Sequence, residues 1–163
     1  MNRTKLTRRI DGLGRIVIPK EIRDNMNVAD GDLLEISVVN NEIVLSKYSK
    51  LDDKIGFIKN IASIVANNFE CKIIITDRTK IIYSNFLEEY EDKVISKSLR
   101  DHINNRSNMK ISNVEIFEKY VLEGDYNLMA IIKDSDSLGI SLILTNDYDL
   151  SQKINSVLTS LII

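Results

Sequence analysis

The sequence predicts an α+β protein made of two parts, an N-terminal part over 1–51 and a C-terminal part over 52–163. The N-terminal part consists of short apolar segments separated by glycine and asparagine turns, with one short helical segment. The C-terminal part has the pattern helix, two strands, helix, three strands, helix. A polar joint without a Gly/Ser linker, SKLDD at 49–53, connects the two parts.

The first predicted elements surround a glycine turn. Residues 6–10 and 15–18 are predicted as strands, and DGLG at 11–14 is predicted as the turn between them, because glycine adopts positive φ without strain. Pro19 suits the first position of a helix, where its missing N–H costs nothing. The pattern therefore predicts a short helix over 19–26.

A hairpin follows this helix. Residues 33–39 alternate, with Leu34, Ile36 and Val38 on one side of a strand. Asn40-Asn41 is predicted as a two-residue type I′ turn, because asparagine tolerates left-handed backbone angles. Residues 42–48 are predicted to pair back as the second strand.

The N-terminal part is too small to be stable alone. Short strands and one small helix bury little apolar surface, and this part contains neither a disulfide nor a metal-binding pattern. Association with a second copy is the remaining way to cover its apolar residues. The sequence therefore predicts an obligate dimer through this part.

The C-terminal part is predicted to be an antiparallel sheet covered by helices. We expect helices over 52–69, 87–104 and 148–163, and strands over 71–76, 80–84, 111–121, 126–133 and 138–145. The apolar faces of the first and last helices are broader than one sheet requires. If these faces pair with a different copy from the one that pairs through the N-terminal part, the assembly closes as a tetramer.

The charge distribution points to nucleic acid, and other counts exclude whole classes of protein. Residues 1–23 have a net charge of +5 and the remainder has −7, within a total of −2. Cys71 and His102 are the only residues of their types, and no phosphate loop or nucleophile elbow occurs. These counts predict that the protein is not an enzyme. Because the sequence shows no signal peptide and no membrane span, we expect a cytoplasmic protein.

The stretch TRRIDGLGRIVIPKEIRD at 7–24 carries the functional signal. Arg8 and Arg9 precede the glycine turn, Arg15 follows it, and Lys20 and Arg23 lie on the predicted helix. A planar guanidinium binds guanine O6 and N7 bidentately, and it also binds phosphate. The alternative is that these residues are ordinary solvated charges.

The same stretch, with GDLLEI and EIVLSKY after it, resembles the N-terminal domain of the AbrB/SpoVT family of transition-state and sporulation regulators. The likeness covers 3–50 almost without a break. The order of elements in 52–163 resembles the GAF-like second domain of SpoVT-type members. The resemblance implies that two N-terminal parts interleave as a swapped-hairpin β-barrel, and that GAF-like domains make a homotetramer.

The resemblance also implies a partner and a site. Double-stranded, AT-rich promoter DNA would bind the arginines at the matching positions Arg8, Arg9, Arg15 and Arg23, with Lys20 and Lys5 as phosphate contacts. This would make the protein nucleoid-associated. The chain departs from the family pattern at Asp24, where an arginine is common, and at Lys5, where a small residue is common.

No cofactor is predicted, but the resemblance implies that the GAF-like domain could hold an unidentified small molecule. The covering loop would be 104–116, with the polar cluster at 104–108; a solvated loop is the alternative. Aromatic residues would line such a pocket or fill the core, namely Tyr83, Phe86, Phe117, Tyr120 and Tyr126.

Two other functions compete with a regulator. The same barrel occurs in antitoxins, although an antitoxin usually ends in a short extended tail rather than in a patterned domain. An enzyme within 53–163 would have to work without paired carboxylates or metal-ligand spacing.

Overall fold

The computed structural model describes residues 6–26, 28 and 30–163, and the chain divides between Tyr48 and Ser49 into two compact units. The first unit contains α1 (Lys20–Asn25), β1 (Leu34–Val39) and β2 (Glu42–Lys47). The second unit contains, in chain order, α2 (Ile55–Phe69), β3 (Lys72–Asp77), β4 (Ile81–Ser84), α3 (Lys97–Asn104), β5 (Asn108–Phe117), β6 (Tyr120–Lys133), β7 (Asp136–Leu144) and α4 (Tyr148–Ile162). Single 3-10 turns lie at Asp52–Lys54 and Glu88–Tyr90.

The hairpin of the first unit forms as predicted. β1 and β2 pair antiparallel, and the pair Val39 and Glu42 closes a two-residue loop. Asn40 and Asn41 have φ of 49° and 65°. Positive φ at both central positions is the type I′ geometry, which matches the twist of the flanking strands.

The predicted strands over 6–10 and 15–18 are absent from the single chain, so that prediction is wrong for one copy. The backbone bonds here belong to the turn: Asp11 N donates to Arg15 O and Gly14 N donates to Asp11 O. A strand forms only where a neighbouring strand accepts its hydrogen bonds, and none of the described residues supplies one.

Apolar residues of the first unit face solvent. None of the described residues between Leu6 and Tyr48 is buried. Seven large apolar residues are between 54% and 77% exposed: Ile10, Leu13, Ile16, Val17, Ile36, Val38 and Ile43. One copy of this unit therefore leaves a large apolar area in contact with water, which is unusual for a stable monomer.

The second unit is a five-stranded antiparallel sheet in the order β4-β3-β7-β6-β5. α2 and α4 cover one face, and their core includes Ile58, Ala62, Ile73, Ile75 and Leu158. α3 and the segment 85–96 cover the other face, where the core includes Ile74, Leu99, Ile103, Tyr126 and Leu128. The two layers bury the apolar side chains that successive strand residues send to opposite faces.

Two predictions for this unit are wrong. The helix predicted over 87–104 begins only at Lys97, where the Ser96 hydroxyl caps it by accepting a hydrogen bond from Leu99 N at 3.1 Å. The preceding residues instead pair with β4, since Ile81 N donates to Lys93 O at 3.0 Å. The loop expected over 104–116 is also replaced, for the most part, by the edge strand β5.

A buried amide network joins α4 to the sheet. Asn155 on α4 is fully buried, and its Nδ2 donates to Asn127 O at 2.9 Å, to Asn127 Oδ1 at 2.8 Å and to Ser141 O at 3.2 Å. Asn127 Nδ2 donates in turn to the Tyr148 hydroxyl at 3.2 Å. These contacts give partners to the side-chain amide nitrogens of Asn155 and Asn127, which would otherwise be buried unpaired at considerable cost.

Gly139 on β7 is required by a close backbone approach, and this gives a first prediction. A Cβ at this position would lie 1.9 Å from Thr76 O on β3. We expect Gly139→Ala to lower the free energy of unfolding by roughly 1 to 3 kcal/mol, because one of two paired strands must move. Urea unfolding of the full chain, followed by circular dichroism, measures this change.

The matched control is Gly56→Ala on α2, where an added Cβ meets nothing within 4 Å. Alanine has the higher helix propensity, so this variant should be unchanged or more stable by up to about 1 kcal/mol. Equal stability of the two variants would contradict the close-approach argument.

Candidate nucleic-acid interface

Asp11 organises the turn between the predicted basic residues. Its Oδ1 accepts hydrogen bonds from Leu13 N at 2.9 Å and from Arg15 N at 2.8 Å. Its carbonyl oxygen accepts Gly14 N at 3.0 Å, and Gly14 has the positive φ of 77° that the turn requires. The carboxylate therefore holds the turn in one conformation.

Arg15 is bound to the same carboxylate through its side chain. Arg15 Nε donates to Asp11 Oδ2 at 2.8 Å, while the Arg15 side chain remains 73% exposed. The hydrogen bonds from Arg15 N and then from the Arg15 guanidinium lower the pKa of the Asp11 carboxyl. The guanidinium is thus held through Nε, while most of the Arg15 side chain remains exposed to solvent.

The other basic residues are exposed and less constrained. Arg8 Nη1 donates to the carbonyl oxygen of its neighbour Thr7 at 2.9 Å. Among the residues that the structure describes, Arg9, Lys20 and Arg23 have no ion-pair partner, and Arg23 and Lys20 lie on the exposed surface of α1. The predicted phosphate contact Lys5 lies outside the described residues.

The geometry brings the two arms of the turn together, since Asp11 N donates to Arg15 O at 3.1 Å. Arg8 and Arg9 lead into this turn and Arg15 leads out of it, as the spacing predicts. The sequence analysis missed Asp11 as a member of the site. An aspartate that directly precedes a glycine turn is the signal that could have identified it, because such residues accept hydrogen bonds from the backbone that follows.

Cys71 and His102, each the single residue of its type in the sequence, both lie in the second unit. Cys71 is buried, and burial raises the pKa of its thiol, which disfavours the reactive thiolate. His102 Nδ1 lies 3.1 Å from Ser107 Oγ. No group of three or more His, Cys, Asp or Glu residues that could hold a metal occurs within 6–26, 28 and 30–163.

The candidate pocket residues mostly contact one another or the core. Tyr126 is buried beneath α3, and burial raises its pKa to about 12. Phe117 and Tyr120 stack at 4.7 Å, and Tyr90 packs on both. In the polar cluster, Arg106 Nη2 donates to Ser135 O.

An apolar groove lies between α2 and α4. It has a volume of about 190 Å³ and is lined by Val65, Phe69, Leu150, Lys153, Ile154 and Val157. Further apolar side chains on the two helices are exposed, namely Phe57, Ile64 and Leu161. Neither of these helices, nor any other that the structure describes, is long and apolar enough to cross a membrane.

Residues 7–53 match the family described as antidote-toxin recognition MazE, a bacterial antitoxin. This match covers the basic turn, α1 and the hairpin. Fold and match together define the class of protein: an AbrB/MazE-type hairpin module followed by a larger α+β unit.

Relatives identify the family. The chain is 30% identical over 161 residues to stage V sporulation protein T of Bacillus subtilis (strain 168), which covers 93% of this chain and 89% of that protein. It is 46% identical over 48 residues to the transition state regulatory protein AbrB of the same organism, which covers 29% of this chain and 50% of that protein. The chain belongs to the AbrB/SpoVT family, as its sequence predicted.

The Asp11–Arg15 pair gives a second prediction. The hydrogen bonds favour the charged carboxylate, so the part of their stabilisation that depends on its charge is present above its ordinary pKa of 3.8 and is lost as pH falls through the lowered pKa. Arg15→Ala should raise the pKa of Asp11 part of the way back, because the backbone hydrogen bonds remain. An NMR titration that follows the carboxyl carbons measures this change in the pKa of Asp11.

Asp125 is the internal control for this titration. Lys110 and then Ser112, both in the second unit, lower its pKa, and Arg15 is not among the causes of that shift. Its midpoint should therefore be the same in both proteins. A midpoint for Asp11 that Arg15→Ala leaves unchanged would contradict the ion pair.

Proposed function

We propose that this protein is a DNA-binding transcription regulator of sporulation and transition-state genes. The observation that carries the proposal is the exposed basic turn at Asp11–Arg15, with Arg8 and Arg9 leading into it and Arg23 on α1. The names of the two relatives, a stage V sporulation protein and a transition state regulatory protein, support the same function. We propose no enzymatic activity, because the sequence has one histidine, one cysteine and no catalytic motif.

The proposed ligand is AT-rich double-stranded DNA. Arg8, Arg9, Arg15 and Arg23 contact it directly, and Lys20 and Lys5 bind phosphates. Short turns and a six-residue helix lack the length of a recognition helix in the major groove. Such a surface senses phosphate positions, groove width and DNA bendability more than a long consensus, and narrow AT-rich grooves attract arginine.

The N-terminal domain, 1–51, is proposed to work as a dimeric swapped-hairpin barrel. The apolar surface exposed by one copy and the missing strand partners of 6–18 support this assembly. A second copy would supply both the strand partners and the apolar cover. It would also duplicate the basic turn about a two-fold axis.

The C-terminal domain, 52–163, is proposed to be GAF-like and to join dimers into tetramers. The exposed apolar face of α2 and α4, with its groove, supports pairing through these helices. The domain could also bind an unidentified small molecule, and no resident cofactor is proposed. We place the whole assembly in the cytoplasm, on the nucleoid.

An antitoxin is the second candidate function, and the MazE match over 7–53 favours it. Against it, residues 49–163 form a folded sheet with helices on both faces rather than an extended tail. A toxin that copurifies with the chain in equal amounts would support the antitoxin function.

A third prediction tests DNA binding through its salt dependence. Each phosphate contact contributes about −0.9 to the slope of log K against log salt. Because each dimeric barrel loses two contacts, Arg8→Ala should make the slope shallower by about 1.8 for each barrel that binds the duplex, and it should weaken binding to an AT-rich duplex. Fluorescence anisotropy over a salt series measures both quantities.

Arg100→Ala is the matched control, because it removes one arginine from α3 in the second unit. It should leave the slope and the affinity unchanged. DNA binding that survives both Arg8→Ala and Arg15→Ala undiminished would refute the proposed site, provided that both variants remain dimeric.

A fourth prediction separates the two proposed interfaces. Val157 on α4 is 60% exposed and lines the apolar groove, so Val157→Glu should convert tetramers into dimers and halve the mass. Val121→Glu is the control, since Val121 is 52% exposed on β6 and lies outside the groove. Light scattering after gel filtration gives the masses; a tetramer that survives Val157→Glu would exclude this face.

A further inference from the structure

Asp11 and Arg15 are joined by three hydrogen bonds. Arg15 N donates to Asp11 Oδ1 at 2.8 Å, Arg15 Nε donates to Oδ2 at 2.8 Å, and Asp11 N donates to Arg15 O at 3.1 Å. Both the main chain and the side chain of Arg15 are therefore fixed on one carboxylate. Since the side-chain bond uses Nε, the two terminal nitrogens are left to a ligand.

Arg15 differs in this respect from the other basic residues of the interface. Within the part of the chain that the structure describes, Arg9, Lys20 and Arg23 make no ion pair, and Arg8 contacts only a neighbouring carbonyl. Long, mobile side chains adapt to phosphates wherever the DNA backbone places them. A guanidinium held in one position can instead match one fixed arrangement of acceptors, because less freedom is lost on binding.

The charge of Asp11 is not needed for the turn itself. An asparagine Oδ1 could accept the hydrogen bonds of Leu13 N and Arg15 N equally well. The second carboxylate oxygen serves only Arg15 Nε. An acid on a surface that binds a polyanion opposes general affinity, so its contribution must lie elsewhere.

We infer that Asp11 is a positioning residue for Arg15, which it presents as a rigid fork to the edge of a base pair, while the neighbouring arginines bind phosphates. The acceptors that fit such a fork best are guanine O6 and N7, so the contact is expected at a G·C pair within an otherwise AT-rich duplex. The inference rests on the proposed function, and it adds that sequence preference and general affinity reside in different residues of one surface.

The test compares variants of the whole 163-residue chain on a pool of random-sequence DNA duplexes. Two quantities are measured for each: affinity for the unselected pool, and preference, which is the ratio of affinities for selected and unselected duplexes. The variants are Asp11→Asn, Asp24→Asn and Arg15→Lys, together with Asp11→Asn in the Arg15→Lys background. Asp24→Asn is the matched control, since it removes an equal charge from α1.

We expect Asp11→Asn to reduce preference by roughly 5- to 150-fold for each copy of Arg15 that contacts a base pair, since each copy loses one bidentate base contact. Its affinity for the unselected pool should equal or exceed that of the unsubstituted protein. Asp24→Asn should raise the affinity and leave the preference unchanged. Arg15→Lys keeps the charge without the fork, so it should lose preference and retain its salt slope.

The double variant decides whether Asp11 acts through Arg15. Asp11→Asn should have no further effect in the Arg15→Lys background. An equal effect in both backgrounds, or an Asp11→Asn variant that behaves like Asp24→Asn, would overturn the inference and leave DNA binding intact. An unsubstituted protein that binds the pool without sequence preference would also overturn the inference. A protein that does not bind the pool at all refutes the proposed function, and the inference with it.

Discussion

The first unit cannot bury its own apolar side chains, and this constraint governs the rest of the structure. None of its described residues from Leu6 to Tyr48 is buried, although the hairpin and the turn are well formed. Local hydrogen bonds can set the shape of so small a unit, but they contribute little net stability. Stability therefore has to come from apolar contacts that one copy does not make with itself, which is why we propose that this unit works as a dimer.

The second unit solves the same problem within one chain. Its five strands send side chains into two cores, one beneath α2 and α4 and the other beneath α3. The difference explains how the two units divide the work that we propose for them. A self-sufficient domain can present an additional apolar face on α2 and α4 without depending on it to fold.

Local signals predicted most of the fold. The Asn40-Asn41 turn, the start of α1 after Pro19 and the long helices α2 and α4 each depend on chemistry within a few residues. The failures involve partners that are distant in sequence. Asp92 and Lys93 pair with Ile81 instead of forming a helix, and β5 is held in place by pairing with β6. Residues 6–18 have no strand partner among the described residues of one copy.

The candidate site was predictable in its charges but not in its geometry. The sequence places Arg8, Arg9 and Arg15 around a turn, because glycines mark turns and arginines mark anion surfaces. That one carboxylate fixes Arg15 at two points follows only from the structure.

The buried Asn155 determines how α4 is placed on the sheet. A shift of α4 by one turn would separate the Asn155 amide from Asn127 and Ser141 and leave it buried without these partners, so the helix has a single register on the sheet. The exposed face of α4 is consequently held in one position relative to the sheet. Every copy of the chain therefore presents the same arrangement of side chains on this face for association.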